Sequence, residues 1–333
     1  MKQAKFQLMA VFLVIMTLVL SACAQQSQSA NQPAAAGQSG ETAQSEQSGN
    51  ITISGAFALY PMMQRWAEEY QKLYPGVQFD ISAGGAGKGM TDALAGAVEI
   101  GMVSRGVTPE EEAKGAFWVP VVKDAVFPMV NEQNPVLQDL LAKGVTKAVF
   151  EKIYITGEIT NWGQVVGHPE LTDAINVYTR SDAAGAPEVW AKYLGKKQED
   201  LIGLGVFGDP GLLDAIIKDP MGIGYNNLGY AFDNASGKAV AGSAVVPVDV
   251  NENGVADPEE VLETKAEAVE AVASGKYPSP PARPLNLVTK GKPTPLVQSF
   301  IEWILTDGQQ FVGEAGYVQL TQDQLSEAFQ KLK

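Results

Sequence analysis

The chain has one cysteine, Cys23, and one histidine, His168, in 333 residues. A lone thiol has no partner for a disulfide. Nucleophile–base pairs that need a second histidine or a free cysteine are largely unavailable. His168 sits in a polar Gly-His-Pro turn and reads as a surface residue. Basic residues are also scarce, with 24 Lys and Arg against 38 Asp and Glu and a formal charge of −14. That balance argues against nucleic acid as a partner, because phosphate backbones need clustered Lys and Arg. A small anion is not excluded, since it responds to local amides and one or two arginines. No internal repeat of a solenoid array is present.

What is present is the composition of a folded protein, 45% hydrophobic and 19% charged, with length enough for two lobes. Lys2 and Lys5 precede an apolar run from about Leu8 to Leu20, followed by Ser21, Ala22 and Cys23. A basic start, a short apolar stretch and small residues form an export signal. The run is too short to be read first as a membrane span. Leu20-Ser21-Ala22-Cys23 resembles the bacterial lipobox, which implies a signal over 1–23, lipidation of Cys23 and an exported, membrane-anchored protein outside the cytoplasm. Residues 24–50 are rich in Gln, Ser, Ala and Gly. They are expected to form a flexible linker, because so few apolar side chains bury too little surface to offset chain entropy.

The folded part reads as alternating strands and helices. Ile51 to Ser54 predicts a strand, and a helix follows Pro61 with Met62, Met63, Trp66, Ala67, Tyr70 and Leu73 on one face. Val77 to Ser82 and Ile100 to Ser104 predict further strands around a helix at Met90 to Gly96. Later, Ile175 to Tyr178 predicts a strand, 180–186 a loop and Pro187 to Leu194 a helix. Phe300 to Leu305 predicts an apolar helix. Strand, glycine loop and helix in succession indicate an α/β architecture with parallel strands.

Three glycine-containing loops each lead into a helix start. A helix N-terminus exposes unpaired amides and partial positive charge, and glycine lets backbone approach a ligand closely. Such loops facing one cleft would surround an oxyanion with donors, with Arg105 and Arg180 adding charge-assisted bonds. Neither the P-loop nor the dinucleotide fingerprint fits. Gly89 follows Lys88 where a hydroxyl residue is required, and Met90 breaks the Gly spacing after Gly85 and Gly87.

Five blocks in order, Gly55–Pro61, Gly84–Gly89, Ile100–Arg105, Gly157–Trp162 and Arg180–Ala186, resemble the phosphate-binding proteins of ABC importers. Gly222–Tyr225 and Gly316–Val318 extend the resemblance to nearly all of the folded part. It implies a type II two-lobed periplasmic-binding-protein fold, with two crossover strands and the ligand in the interlobe cleft. Lobe one would be 51–125 plus 282–333, and lobe two 126–281. The resemblance implies a monomer that captures phosphate or a similar oxyanion for permease and ATPase subunits, without catalysis. Its ligand residues would be Ala56, Phe57, Ala58, Gly85, Ala86, Gly87, Lys88, Ser104, Arg105, Arg180, Asp182, Ala184, Gly185 and Ala186.

Departures from the family pattern fall inside those blocks. Ala86, Ala184 and Ala186 stand where the family usually has Ser or Thr, and Ala56 and Ala58 where a hydroxyl is common. Three lost hydroxyl donors would cost about 4–9 kcal/mol if nothing replaced them. Some members carry an acid at the place of Arg105; Asp182 is the candidate here to accept the proton of hydrogen phosphate. Phosphate leads, with sulfate, molybdate, tungstate and an anion-sensing receptor as alternatives. A metal-dependent phosphatase is the reading from another class.

Residues 249–260 fit a calcium loop of the EF-hand type. Asp249, Asn251, Asn253, Asp257 and Glu260 would supply side-chain oxygens and Val255 its carbonyl, with Gly254 at the turn. A helix is expected from Val261 to Ala273, but none before the loop, where Val245 to Val250 looks extended. The site would be structural calcium, not a catalytic cofactor.

Overall fold

The computed structural model describes residues 47–333. The signal expected at 1–23, with Cys23, and most of the expected linker lie outside the described residues. The linker's last residues are not loop. Strand β1 starts at Ser48 (Ser48–Gly55), because parallel pairing with β2 (Gly76–Ala83) begins at Ser48 opposite Gly76. Backbone pairing draws this polar segment into the sheet.

Between them runs the helix Tyr60–Leu73, with Pro61 in its first turn. Met62, Met63, Trp66, Ala67 and Tyr70 are buried as predicted, whereas Leu73 is 48% exposed at the helix end. The helix Ala86–Ala95 starts four residues before the expected Met90, and Gly96 in the left-handed region ends it. β3 (Ile100–Val103) pairs parallel with β1.

β4 (Ala116–Asn131) is a single strand of 16 residues. Its first part pairs antiparallel with β11 (Ala282–Lys290), up to Ala125 opposite Ala282. From Val126 onward it pairs with β8 (Gly222–Asn227) instead. β11 also joins β3, so the sheet continues from one lobe into the other. The second lobe adds β6 (Asn176–Arg180), parallel to β8 and to β7 (Leu204–Val206), while β9 (Ser243–Val245) pairs with β4. β5 (Val145–Thr146) and β10 (Val248–Asp249) form a separate two-stranded sheet. The strands are therefore mixed rather than all parallel, since β11 and β4 run against their neighbours.

Each lobe has its own core. One gathers Ile51, Trp66, Tyr70, Leu285 and Phe300; the other gathers Phe127, Phe150, Trp162, Trp190 and Tyr225. Burying each such large side chain contributes about 1.5–3 kcal/mol, which is what separates two packed bodies from one extended sheet.

Two further boundaries differ from expectation. β6 runs through Arg180, so that residue sits at a strand end and not in a loop. The helix after the calcium-type loop is Lys265–Ser274, not one starting at Val261. Thr264 accepts from the Glu267 amide and Glu267 accepts from Thr264, a capping box that fixes the start there.

Candidate oxyanion site between the lobes

Three of the predicted loops meet. The amides of Gly84 and Gly85 donate to the Gly55 carbonyl at 2.9 and 3.0 Å. Across the cleft, the Gly87 amide donates to the Ala183 carbonyl at 3.0 Å. The approach demands glycine. A methyl on Gly85, which has φ +91°, would lie 2.7 Å from an Asp182 carboxylate oxygen. A methyl on Gly185 would lie 2.2 Å from the Ser104 hydroxyl.

Two helix starts open here. Gly85 precedes the 86–95 helix and Ala184 precedes the helix Gly185–Tyr193, and neither has a side chain that caps its amides. The first-turn amides of Ala86, Gly185 and Ala186 have no acceptor within their own helices. Phe57 and Ala58 lie in a short 3-10 turn that also lacks a side-chain cap at Ala56. Some predicted donors are spent, however. Ala56 donates to the Met102 carbonyl at 2.9 Å, and Gly85 and Gly87 are bonded as above.

Arg180 is the charged centre, its side chain 1% exposed. Its Nε and Nη2 donate to Asp182 at 2.8 and 2.5 Å, and Nη1 donates to Asp209 at 2.5 Å. Its guanidinium lies 5.5 Å from the Phe57 ring centroid. Phe57 in turn meets Phe207 edge-on at 5.9 Å across the cleft. Asp182 also accepts from the Gly208 amide at 3.1 Å. Burial outweighs the Arg180 charge at Asp209 and pushes its carboxyl up to about 6.

The other two predicted cations are committed elsewhere. Lys88 pairs with Asp92 one helical turn on, and Asp92 also accepts from the Ser54 hydroxyl at 2.6 Å. Arg105 holds Glu111 at 2.6 Å and reaches across to Glu188 at 3.0 Å. It works as a tie between lobes.

A protein-family model for a PBP superfamily domain matches residues 40–308. The chain belongs to the PBP superfamily. This PBP-superfamily chain is 29% identical to the phosphate-binding protein PstS of Bacillus subtilis over 325 residues, covering 96% of each chain. It is 26% identical to PstS of Pseudomonas aeruginosa, with 86% and 87% covered. Among solved structures it resembles a Clostridium perfringens protein assigned to phosphate ABC transport and solved with bound phosphate. That match has TM-score 0.67 and 27% identity, over 82% of this chain and all 100% of the other. An ABC-type phosphate transport receptor from Vibrio cholerae shares the fold, with TM-score 0.59 at 21% identity over 81% and 100%.

In this PBP-superfamily chain, sequence reasoning overlooked a second buried charge cluster behind Arg180. Arg283 on β11 meets Asp124 on β4 at 3.1 Å, and the two are register partners in the crossover. Arg283 also donates to the Ser104 carbonyl at 3.1 Å and to Asn227. It therefore touches both lobes beside the site. Only the Lys88–Asp92 pairing carried a local signal, the i,i+4 spacing.

The calcium-type loop is compact. The Asp249 carboxylate accepts from the Asn253 and Gly254 amides at 3.1 and 2.9 Å, and Glu260 from Val250 and Asp257 at 2.7 and 3.1 Å. Asn251 and Asn253 both donate to Asp257, at 2.7 and 3.0 Å. Among the described residues no three carboxylate, histidine or cysteine groups converge as a metal cluster.

Proposed function

We propose that this chain is the extracytoplasmic receptor of an ABC importer and that it captures phosphate between its lobes. The observation that carries this reading is the convergence of two uncapped helix starts, Gly85–Ala86 and Ala184–Gly185, on one cleft beside the buried Arg180. The similarity to PstS proteins along nearly the whole chain supports it. Those relatives are phosphate-binding proteins, and the chain is a binding protein rather than an enzyme.

The proposed ligand set keeps the amides of Phe57, Ala58, Ala86, Lys88, Gly185 and Ala186, the Ser104 hydroxyl and the Arg180 guanidinium, each of whose nitrogens already donates to Asp182 or Asp209. Asp182 and Asp209 hold the guanidinium in place before any ligand arrives, so little order is lost on binding. A carboxylate beside the anion accepts the proton of hydrogen phosphate and repels an anion with no proton to give. Calorimetry on the mature chain tests this, with phosphate expected to bind at micromolar affinity or tighter. Heat from sulfate, molybdate or tungstate and none from phosphate would reject phosphate and retain the class. That outcome has a physical basis, because Ala56, Ala86, Ala184 and Ala186 offer no hydroxyl.

The proposal extends to the lobe division at 125/126 and 281/282, a monomeric state, permease and ATPase partners, and an anchor on Cys23. Replacing Cys23 with Ser should release the protein from the membrane. We also propose calcium in the 249–260 loop, with Asp249, Asn251, Asn253, Val255, Asp257 and Glu260 as ligands. Binding would turn carboxylates from loop amides to the ion. A melting midpoint that drops on chelation and recovers with calcium is expected; an unchanged midpoint counts against it.

A further inference from the structure

The Gly316-Tyr317-Val318 block has no place in the ligand set, yet it runs where the two lobes meet. Tyr317 packs in the first core and Val318, the next residue, in the second. Val318 is fixed to β4 by paired backbone bonds with Lys123, at 2.7 and 3.1 Å. Tyr317 is 3% exposed, and its hydroxyl donates to the Ala58 carbonyl at 2.7 Å. Ala58 belongs to the 57–59 turn, which has no side-chain cap, and neither has the 60–73 helix that follows. Peptide planes are rigid, so a bond at this carbonyl limits how far the turn and its Phe57 and Ala58 amides can swing. The same hydroxyl faces the second lobe. A methyl on Gly229, in the helix Leu228–Ala231, would lie 3.8 Å from it.

The second lobe holds this segment through Lys265. The lysine is 6% exposed, and its Nζ donates to the Ala315 carbonyl at 3.3 Å and to the Asn234 side chain. Gly316, at φ +74°, makes room for it, since a methyl there would lie 2.2 Å from the lysine nitrogen. The placement is costly. Lys265 is the first residue of the 265–274 helix, the end where the helix dipole disfavours a cation. Among the described residues no carboxylate stands within ion-pair distance of it. A buried ammonium without an ion pair is unfavourable, and burial holds this one below the ordinary lysine pKa. Stability alone therefore does not account for a lysine here, whereas a bond to the other lobe does.

We propose that Tyr317 is a positioning residue of the anion site and that Lys265 sets it from the second lobe. Bringing the lobes together seats residues 315–317 against the lysine. The tyrosine hydroxyl then holds the 57–59 turn with its amides toward the anion. This rests on the reading of the Phe57 and Ala58 amides as phosphate ligands.

Phosphate calorimetry on the full mature chain tests it, with Tyr317→Phe and Lys265→Met made singly and together, beside urea unfolding without phosphate. Tyr317→Phe should weaken phosphate by about three- to tenfold, the worth of one hydrogen bond. A tyrosine that only packs would lower the unfolding midpoint and leave the affinity unchanged. Lys265→Met should weaken phosphate as well, but by less than about twofold in the Tyr317→Phe background, because both act through one contact. Gly316→Ala, which forces the segment off the lysine, should give the same loss without touching the buried charge. Tyr317→Phe within about twofold of the parent, or losses that multiply in full in the double variant, overturns the proposal. In either case normal phosphate binding by the parent preserves the oxyanion site; no heat from the parent removes both readings.

Discussion

The two walls of the cleft use different chemistry. The wall built from residues 55–58, 84–88 and 104 presents glycine, alanine and backbone, and its Lys88 and Arg105 are drawn into ion pairs. The opposite wall presents Arg180 and Asp209, both buried, with the half-buried Asp182 against the same guanidinium. A backbone wall tolerates side-chain truncation but not added bulk. A charged wall responds in the opposite way, since removing any one member strands its partners. The alanines at family hydroxyl positions fall on both walls, but the guanidinium is retained.

The largest test of this contrast is Arg180→Met. It leaves the buried Asp209 and the half-buried Asp182 facing an apolar chain, so unfolding in urea should show a loss of about 3–5 kcal/mol, with phosphate binding abolished. A variant as stable as the parent would break the comparison. Next is pH. The Asp209 carboxyl is raised from 3.8 to about 6 in the folded protein. The folded state therefore holds this proton more tightly than the unfolded chain. Its contribution is greatest below about pH 4 and is lost as pH rises through about 6. The stability difference between parent and Asp209→Asn should fall by up to about 3 kcal/mol over that window and then level off. A difference that stays flat, or rises, contradicts the assignment.

On the other side, Gly185→Ala probes added bulk, because its methyl would meet Ser104 from the backbone wall. Phosphate affinity should weaken by at least about tenfold, with little change in the unfolding midpoint, since each lobe's own core is untouched. The smallest expected effect is Ala86→Ser, which supplies one hydroxyl on the backbone wall. A gain of up to about tenfold in phosphate affinity would sharpen the contrast, and a loss would show that the buried position has no room for it.

Much of the backbone wall was legible in the sequence. Glycine loops between an apolar strand and a helical pattern are local signals, and Gly55, Gly85 and Gly87 lie where those signals point. Helix starts were legible less well. Ala86 begins its helix without a capping side chain, and the capping box at Thr264 was passed over for a start at Val261. Asp209, Asp124 and Arg283 were not legible. Their partners come from distant parts of the chain and are joined only by strand register and burial. Arg105 misled for the same reason. Nothing local reveals that Glu188 will approach it from the other lobe.

β4 passes without a break from pairing with β11 to pairing with β8. An unbroken extended backbone resists stretching and shear but yields to torsion. The two halves thus share one backbone, and any turn of one against the other is taken up as twist in β4 and its neighbour β11.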